Sequence, residues 1–269
     1  ILSTIGIETN KFNKLITEKT SQGKNINIKL ETIKFKINPK ELSLFLETEN
    51  PKIIYRNLLV PVNNIKVYAD FLSLIKSDPI IKKISLVSEE LDIMQISKLS
   101  SIIKPSNFKN FLNNKIKEGK LISEIEIFLN EDGSIKDFIA KGKVKNLKVE
   151  LLNKLNLKKT NLSFFADKND ILIKNIFGFL EKIKISDGDI RLNLENGIKL
   201  NSNFNSKIDL SDQVTKKYID FFKKYDVSKS LRTLKADLNN NFSIEFDNTY
   251  KVKDYNYSIN GKLQKIKFE

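Results

Sequence analysis

From Leu234 to Phe246 the chain alternates without a break: Leu234, Ala236, Leu238, Asn240, Phe242, Ile244 and Phe246 are separated by Lys235, Asp237, Asn239, Asn241, Ser243 and Glu245. A period of two places the two sets on opposite faces of a β-strand and does not fit a helix, whose faces recur about every 3.6 residues. At ~3.3 Å per residue such a strand extends roughly 40 Å, well past the usual ~5–6 residues. It needs neighbours of similar length, which points to a large sheet, a barrel, a groove or a stack of repeated strands.

The same texture recurs elsewhere. Ile26, Ile28 and Leu30 alternate, then Ile33, Phe35 and Ile37 continue in the opposite parity, which predicts a bulge or bend near Glu31–Thr32 that keeps one face apolar. Leu42 to Leu46 forms a return strand after a turn at Asn38–Pro39; two strands between Lys52 and Asp70 are separated by Pro61, and Ile81 to Val87 is another. Ile125 to Leu129 and Phe138 to Val144 flank the turn sequence Glu131-Asp132-Gly133-Ser134, and further turns are predicted at Asp187-Gly188 and Asn196-Gly197. Gly142 to Glu150 resembles Gly261 to Glu269, each with a parity switch midway, near Asn146 in the first copy. Helical spacing predicts short amphipathic helices over 9–19, after Asp70, from Asp92 to Gly119 with an interruption at Pro105, and after Ser211.

The chemistry is sparse. There is no histidine and no cysteine, which removes the commonest general base, the thiol nucleophile and nearly all zinc sites. The closest carboxylate pairs, Glu124 with Glu126 and Asp187 with Asp189, are spaced two apart and read as a solvated strand face and a turn. No phosphate-binding glycine loop or G-x-S-x-G elbow occurs. These absences argue against an enzyme, a cofactor and a metal. The formal charge of +14 suggests an anionic partner, yet all but three of the 47 basic residues are lysine. That lysine excess, shared with Asn and Ile, follows A/T-rich codons. Few aromatic residues interleave the lysines, so nucleic acid is not expected. No run approaches the roughly 18 apolar residues of a membrane-spanning helix.

The opening residues resemble the start of the periplasmic part of AsmA-like proteins, where a membrane anchor is followed by G-I-x-T-x-x-F-N-x-L-I; Gly6, Ile7, Thr9, Phe12, Asn13, Leu15 and Ile16 match. The succession continues through Asn25 to Lys36, Leu42 to Thr48, Asn50-Pro51 and Ile65 to Phe71, covering roughly the first 100 residues. The resemblance implies an N-terminal α+β module over 1–118 and a repetitive long-strand segment over 119–269, and the alternation from Leu263 to Phe268, still running where the sequence stops, predicts that this segment is truncated at its C-terminal end. It implies a mainly β fold with short amphipathic helices, an elongated, curved antiparallel sheet forming an open apolar groove. It also implies a periplasmic protein of a Gram-negative-type bacterium, tethered to the inner membrane by an anchor outside this segment, that carries phospholipid or another acyl-chain lipid. Outer-membrane proteins are possible further partners, through a scaffold role by strand-edge pairing.

A lipid would need an apolar surface, and the alternating strands offer one. The candidate groove residues are Phe138, Val144, Ile190, Leu192, Leu194, Leu234, Leu238, Phe242, Ile244 and Phe246. The plainer alternative is that these residues fill a closed core.

Overall fold

The computed structural model describes residues 5–9, 26–30, 32–39, 43–55, 58–70, 80–100, 114–150, 155–195, 197–210, 231–247 and 251–268. The helices expected over 10–19, 71–75, 101–113 and 211–225 lie outside these residues. The chain divides into two compact units, Ile1–Lys109 with Leu121–Gly142, and Asn110–Lys120 with Lys143–Glu269.

The first unit draws on β1 (Ile7–Thr9), β2 (Ile26–Lys29), β3 (Ile33–Asn38), β4 (Ser43–Glu49), β5 (Lys52–Tyr55), β6 (Leu58–Val60), β7 (Val62–Ala69), β8 (Ile81–Ser88), β9 (Leu91–Asp92), helix α1 (Ile93–Ser100) and part of β10 (Ile116–Leu129). β11 (Ile135–Glu150) is shared, its residues up to Gly142 belonging to the first unit and those from Lys143 to the second, which also draws on the rest of β10 and on β12 (Asn156–Ala166), β13 (Asp170–Leu180), β14 (Ile183–Asn193), β15 (Ile198–Leu210), β16 (Leu231–Phe246) and β17 (Val252–Phe268). Among the described residues fourteen strands form one large antiparallel sheet, in the order β1-β3-β4-β7-β8-β10 and then consecutively to β17, with β9 also paired to β10. The order does not close on itself. A separate sheet joins β2, β5 and β6.

In the first unit the register explains the alternation. Ile7, Phe35, Leu46, Val67, Ile84 and Ile127 face one another in succession across six strands, and Ile33, Thr48, Ile65, Leu86 and Ile125 form the next row on that face. Ile33 is only 1% exposed. On the other face Lys34, Glu47, Lys66, Ser85 and Glu126 are in register. Beside them Phe45 stacks near Tyr68 at 5.1 Å, and Lys83 sits 4.2 Å above the Tyr68 ring. Opposite charges and cation–ring contacts thus fill the polar rows.

Two features depart from the sequence reading. The parity change at Glu31–Thr32 is not a bulge in one strand; the chain passes from β2, in the small sheet, to β3, in the large one. Each sheet sets its own face, so the parity is free to change. The helix expected to reach Gly119 gives way earlier, because β10 already begins at Ile116. The start of α1 agrees with expectation. Asp92 accepts the Gln95 backbone N–H at 2.9 Å and Gln95 Oε1 accepts the Asp92 N–H at 2.8 Å, a reciprocal capping box. Pro61 separates β6 from β7, and Gly133, at φ 80°, closes the turn between β10 and β11, both as expected.

Glu47 is the charged group most enclosed in this unit. Burial raises its pKa, but hydrogen bonds from Lys36 and Asn64 and the charge of Lys66 outweigh that and hold it below the ordinary 4.5. The stabilisation is therefore complete above that ordinary value and is lost as pH falls through the lowered folded value. Chemical denaturation of Glu47→Gln between pH 7 and pH 3 should show a loss of about 1–3 kcal/mol at neutral pH and a shallower fall in stability on acidification than the parent.

Candidate functional site

The second unit contains the most continuous face of the molecule. Along β15 the pattern is unbroken: Ile198, Leu200, Ser202, Phe204, Ser206, Ile208 and Leu210 are buried or half-buried, and every intervening residue is exposed. The register carries that face to both neighbours. Ile198, Leu200 and Ser202 pair with Phe246, Ile244 and Phe242, while Ser206, Ile208 and Leu210 pair with Leu238, Ala236 and Leu234. On the other side Leu200 pairs with Leu192 and Ser202 with Ile190, and these lead on to Ile171 and Ile173 of β13 and to Ala166 and Phe164 of β12.

Bulges interrupt β11 to β14 without breaking the face. Asn146, Lys159, Asn175 and Asp187 each have a left-handed backbone inside a strand, and each absorbs one residue so that the apolar parity resumes beyond it. Side chains from the next strand bond two of the bulged amides: Asn146 N–H donates to Asn161 Oδ1 at 3.0 Å, and Asn175 N–H donates to Asp189 Oδ1 at 3.2 Å. Asp187-Gly188, expected as a turn, is therefore a bulge within β14, and the turn before it lies at Glu181–Lys182. The switch at Asn146 is present as expected. Its counterpart in the repeat is the register shift that leaves Gln264 of β17 unpaired between Leu263 and Lys265.

At one end the face closes into a small core. Leu155 and Leu210 are buried there, with Leu180, Ile183, Ile208 and Leu234 packed around them. At its middle, Asn240 stands among apolar neighbours and is only 3% exposed. Its amide donates to Ser206 Oγ at 2.9 Å and to the Phe204 carbonyl at 3.2 Å, and its Oδ1 accepts from the Tyr257 hydroxyl at 3.0 Å. Burial pushes the Tyr257 phenol above its ordinary pKa.

Seven of the ten candidate residues therefore share this face: Ile190, Leu192, Leu234, Leu238, Phe242, Ile244 and Phe246. Of these, Leu234 belongs to the closed end. Leu194 lies just beyond β14 and is 38% exposed, Val144 is half-buried on β11, and Phe138 is exposed on the part of β11 assigned to the first unit. The sequence reading did not name the β15 residues, because Ser202 and Ser206 interrupt their apolar run. It also left out β17, whose Val252, Tyr255, Tyr257, Ile259, Leu263 and Ile266 extend the same face and are all largely exposed. The two carboxylate pairs have structural partners. Glu124 pairs with Lys141 at 3.1 Å and Glu126 with Lys83 at 3.5 Å, while Asp187 accepts from Asn205 Nδ2 at 3.1 Å.

Comparison with protein-family models, curated proteins and solved structures finds no match to this chain.

The Asn240 cluster makes a specific stability prediction. Asn240→Ala should cost about 1–3 kcal/mol in equilibrium unfolding, because it strips a bonding partner from two hydroxyls and a carbonyl on an apolar face.

Proposed function

We propose that this chain is a non-catalytic envelope protein segment that binds or conducts phospholipid, or another acyl-chain lipid, along the apolar face of its second unit. One observation carries the reading: apolar residues of six adjacent strands, β12 to β17, fall in register on one face, and on β17 they stay largely exposed. Acyl chains need a surface that excludes water, at about 0.8 kcal/mol for each methylene buried. A dozen methylenes laid along such a face would contribute roughly 10 kcal/mol on the same basis, enough to hold a lipid while its headgroup stays in water. The face would form the wall of an open groove, and the amphipathic helices would flank it.

The N-terminal resemblance to AsmA-like proteins supports the setting: a periplasmic protein tethered to the inner membrane through an anchor outside this segment, moving lipid toward the outer membrane. A scaffold for outer-membrane proteins is the second reading. It is favoured by the position of β17, a 17-residue strand at the end of the sheet order with every residue exposed, since such an edge can accept another strand.

Photo-crosslinking residues placed at Leu238, Phe242 and Ile244 should yield acyl-lipid adducts in cells, whereas the same probe at Lys235 or Glu245 should yield few. Organic extraction of the purified protein should release phospholipid. No lipid from either measurement would overturn the reading, and cross-links from β17 to an outer-membrane protein would favour the scaffold.

A further inference from the structure

The opposite face of the second unit is not uniformly charged. Across β15, β16 and β17 the register sorts its residues into rows. Lys199, Glu245 and Asp254 form one row of charges; Lys207, Asp237 and Lys262 form another, followed by Asp209, Lys235 and Lys265. Between them lie three rows with no charge. These are Asn201, Ser243 and Asn256; Asn203, Asn241 and Ser258; and Asn205, Asn239 and Asn260. Nine adjacent positions thus carry only short neutral side chains, in a protein where the neighbouring rows hold a charge at every position.

The consequence is a trough. Adjacent strands lie ~4.8 Å apart and alternate residues ~6.8 Å apart, so the neutral field spans roughly 10 by 14 Å between rows that carry the longer lysine and glutamate side chains. A cleft of about 390 Å³ opens over its first two rows, bordered by Leu172, Asp189 and Arg191, with Ile190, Ser202 and Phe242 also contributing to its lining between the rows. That volume lies within the ~300–1,000 Å³ of small-ligand sites and suits roughly two or three sugar rings.

The groups in the trough are unspent. Asn239 and Asn205 bond to each other and on to Asp187, and Asn241 donates to Asn239. The side chains of Asn201, Asn203, Ser243, Asn256 and Ser258, by contrast, make no hydrogen bond among the described residues. Arg191 is paired with Asp170 at 3.2 Å, so it is not a free cation in the cleft; Asp189 accepts the Asn175 amide at 3.2 Å and keeps its negative charge at the border. The row through Asn201 continues over Arg191 and Leu172 to Phe165, an aromatic ring 39% exposed on the same face.

We propose that this cleft binds a neutral oligosaccharide. Each side-chain amide offers a donor and an acceptor together, which is what a sugar hydroxyl both supplies and needs. A phosphate or an acidic glycan would call for free cations, and the three rows hold none. A lipid tail would call for the other face. Phe165 and Leu172 supply an apolar flank for the C–H face of a pyranose ring.

The test uses the full chain, a panel of maltoheptaose, cellohexaose and chitohexaose, and titration calorimetry. At least one of these should bind. The double substitution Asn203→Lys with Asn241→Lys, which continues the lysine pattern of the adjoining rows, should weaken binding roughly tenfold or more. Lys207→Asn should leave it unchanged, and lipid cross-linking from Ile244 should be unaffected by either. Should the double variant fail to fold, Asn256→Lys on the exposed strand β17 should weaken binding by itself. No binding of any panel member at millimolar concentration, full affinity in the lysine variants, or binding of an acidic peptide at this cleft in place of the sugars would overturn the proposal.

Discussion

Everything in the second unit depends on strand register. The backbone hydrogen bonds of an antiparallel ladder are indifferent to side-chain identity, but a shift of one residue turns every side chain over. The pairing of Leu200 with Ile244 and Leu192 is therefore a statement about all six strands, not about one contact. The bulges at Asn146, Lys159, Asn175 and Asp187 are the points at which that phase is reset. Asn and Asp tolerate the left-handed conformation better than most residues and hold three of the four positions. Gly178 and Gly188 serve the same region differently. A Cβ on Gly178 would lie 2.3 Å from Thr160 Oγ1, and one on Gly188 would lie 2.8 Å from Ile176 Cβ. The strands approach closely where they bulge, and only a bare backbone fits.

The polar side of the sheet is held in the same cross-strand manner. Lys158 reaches Glu181 at 2.9 Å, Lys235 reaches Asp209 at 2.9 Å, and Lys253 reaches Glu245 at 2.9 Å. The two more open pairs, Lys235 with Asp209 and Lys253 with Glu245, each contribute little to stability. Their larger effect is on register, because opposed charges favour one alignment and like charges disfavour its neighbours. The observed register still sets Lys235 opposite Lys265 and Lys184 opposite Lys207, so charge pairing contributes to the alignment while the apolar face and the bulges fix it.

Much of this was legible in the residues. Alternation gave the strands, the proline and glycine positions gave several of their ends, and Asp92 gave the start of α1. Seven of the proposed apolar residues share a face because the period of two is set by the backbone itself. What escaped was whatever depended on the partner strand. Ser202 and Ser206 look polar in isolation, yet register seats them among Phe242, Ile190 and Leu238 on the apolar face. Asp187-Gly188 has the composition of a turn, and only the continuation of β14 makes it a bulge. The parity change after Leu30 looks the same whether a strand kinks or the chain changes sheets. No local pattern distinguishes the two.

The neutral field opposite the apolar face is illegible for the same reason and more instructive. Along β16 alone, Lys235, Asp237, Asn239, Asn241, Ser243 and Glu245 are simply a solvated face. An A/T-rich coding bias raises lysine and asparagine together and has no means of sorting them by spatial row. Three strands nevertheless place their asparagines and serines in the same three rows and their charges in the rows beyond, although β15 and β16 run in opposite senses and are separated by twenty residues of chain. Composition accounts for the abundance of both residue types. It does not account for an order that exists only once the strands have paired, and that order is a property of the surface the sheet presents.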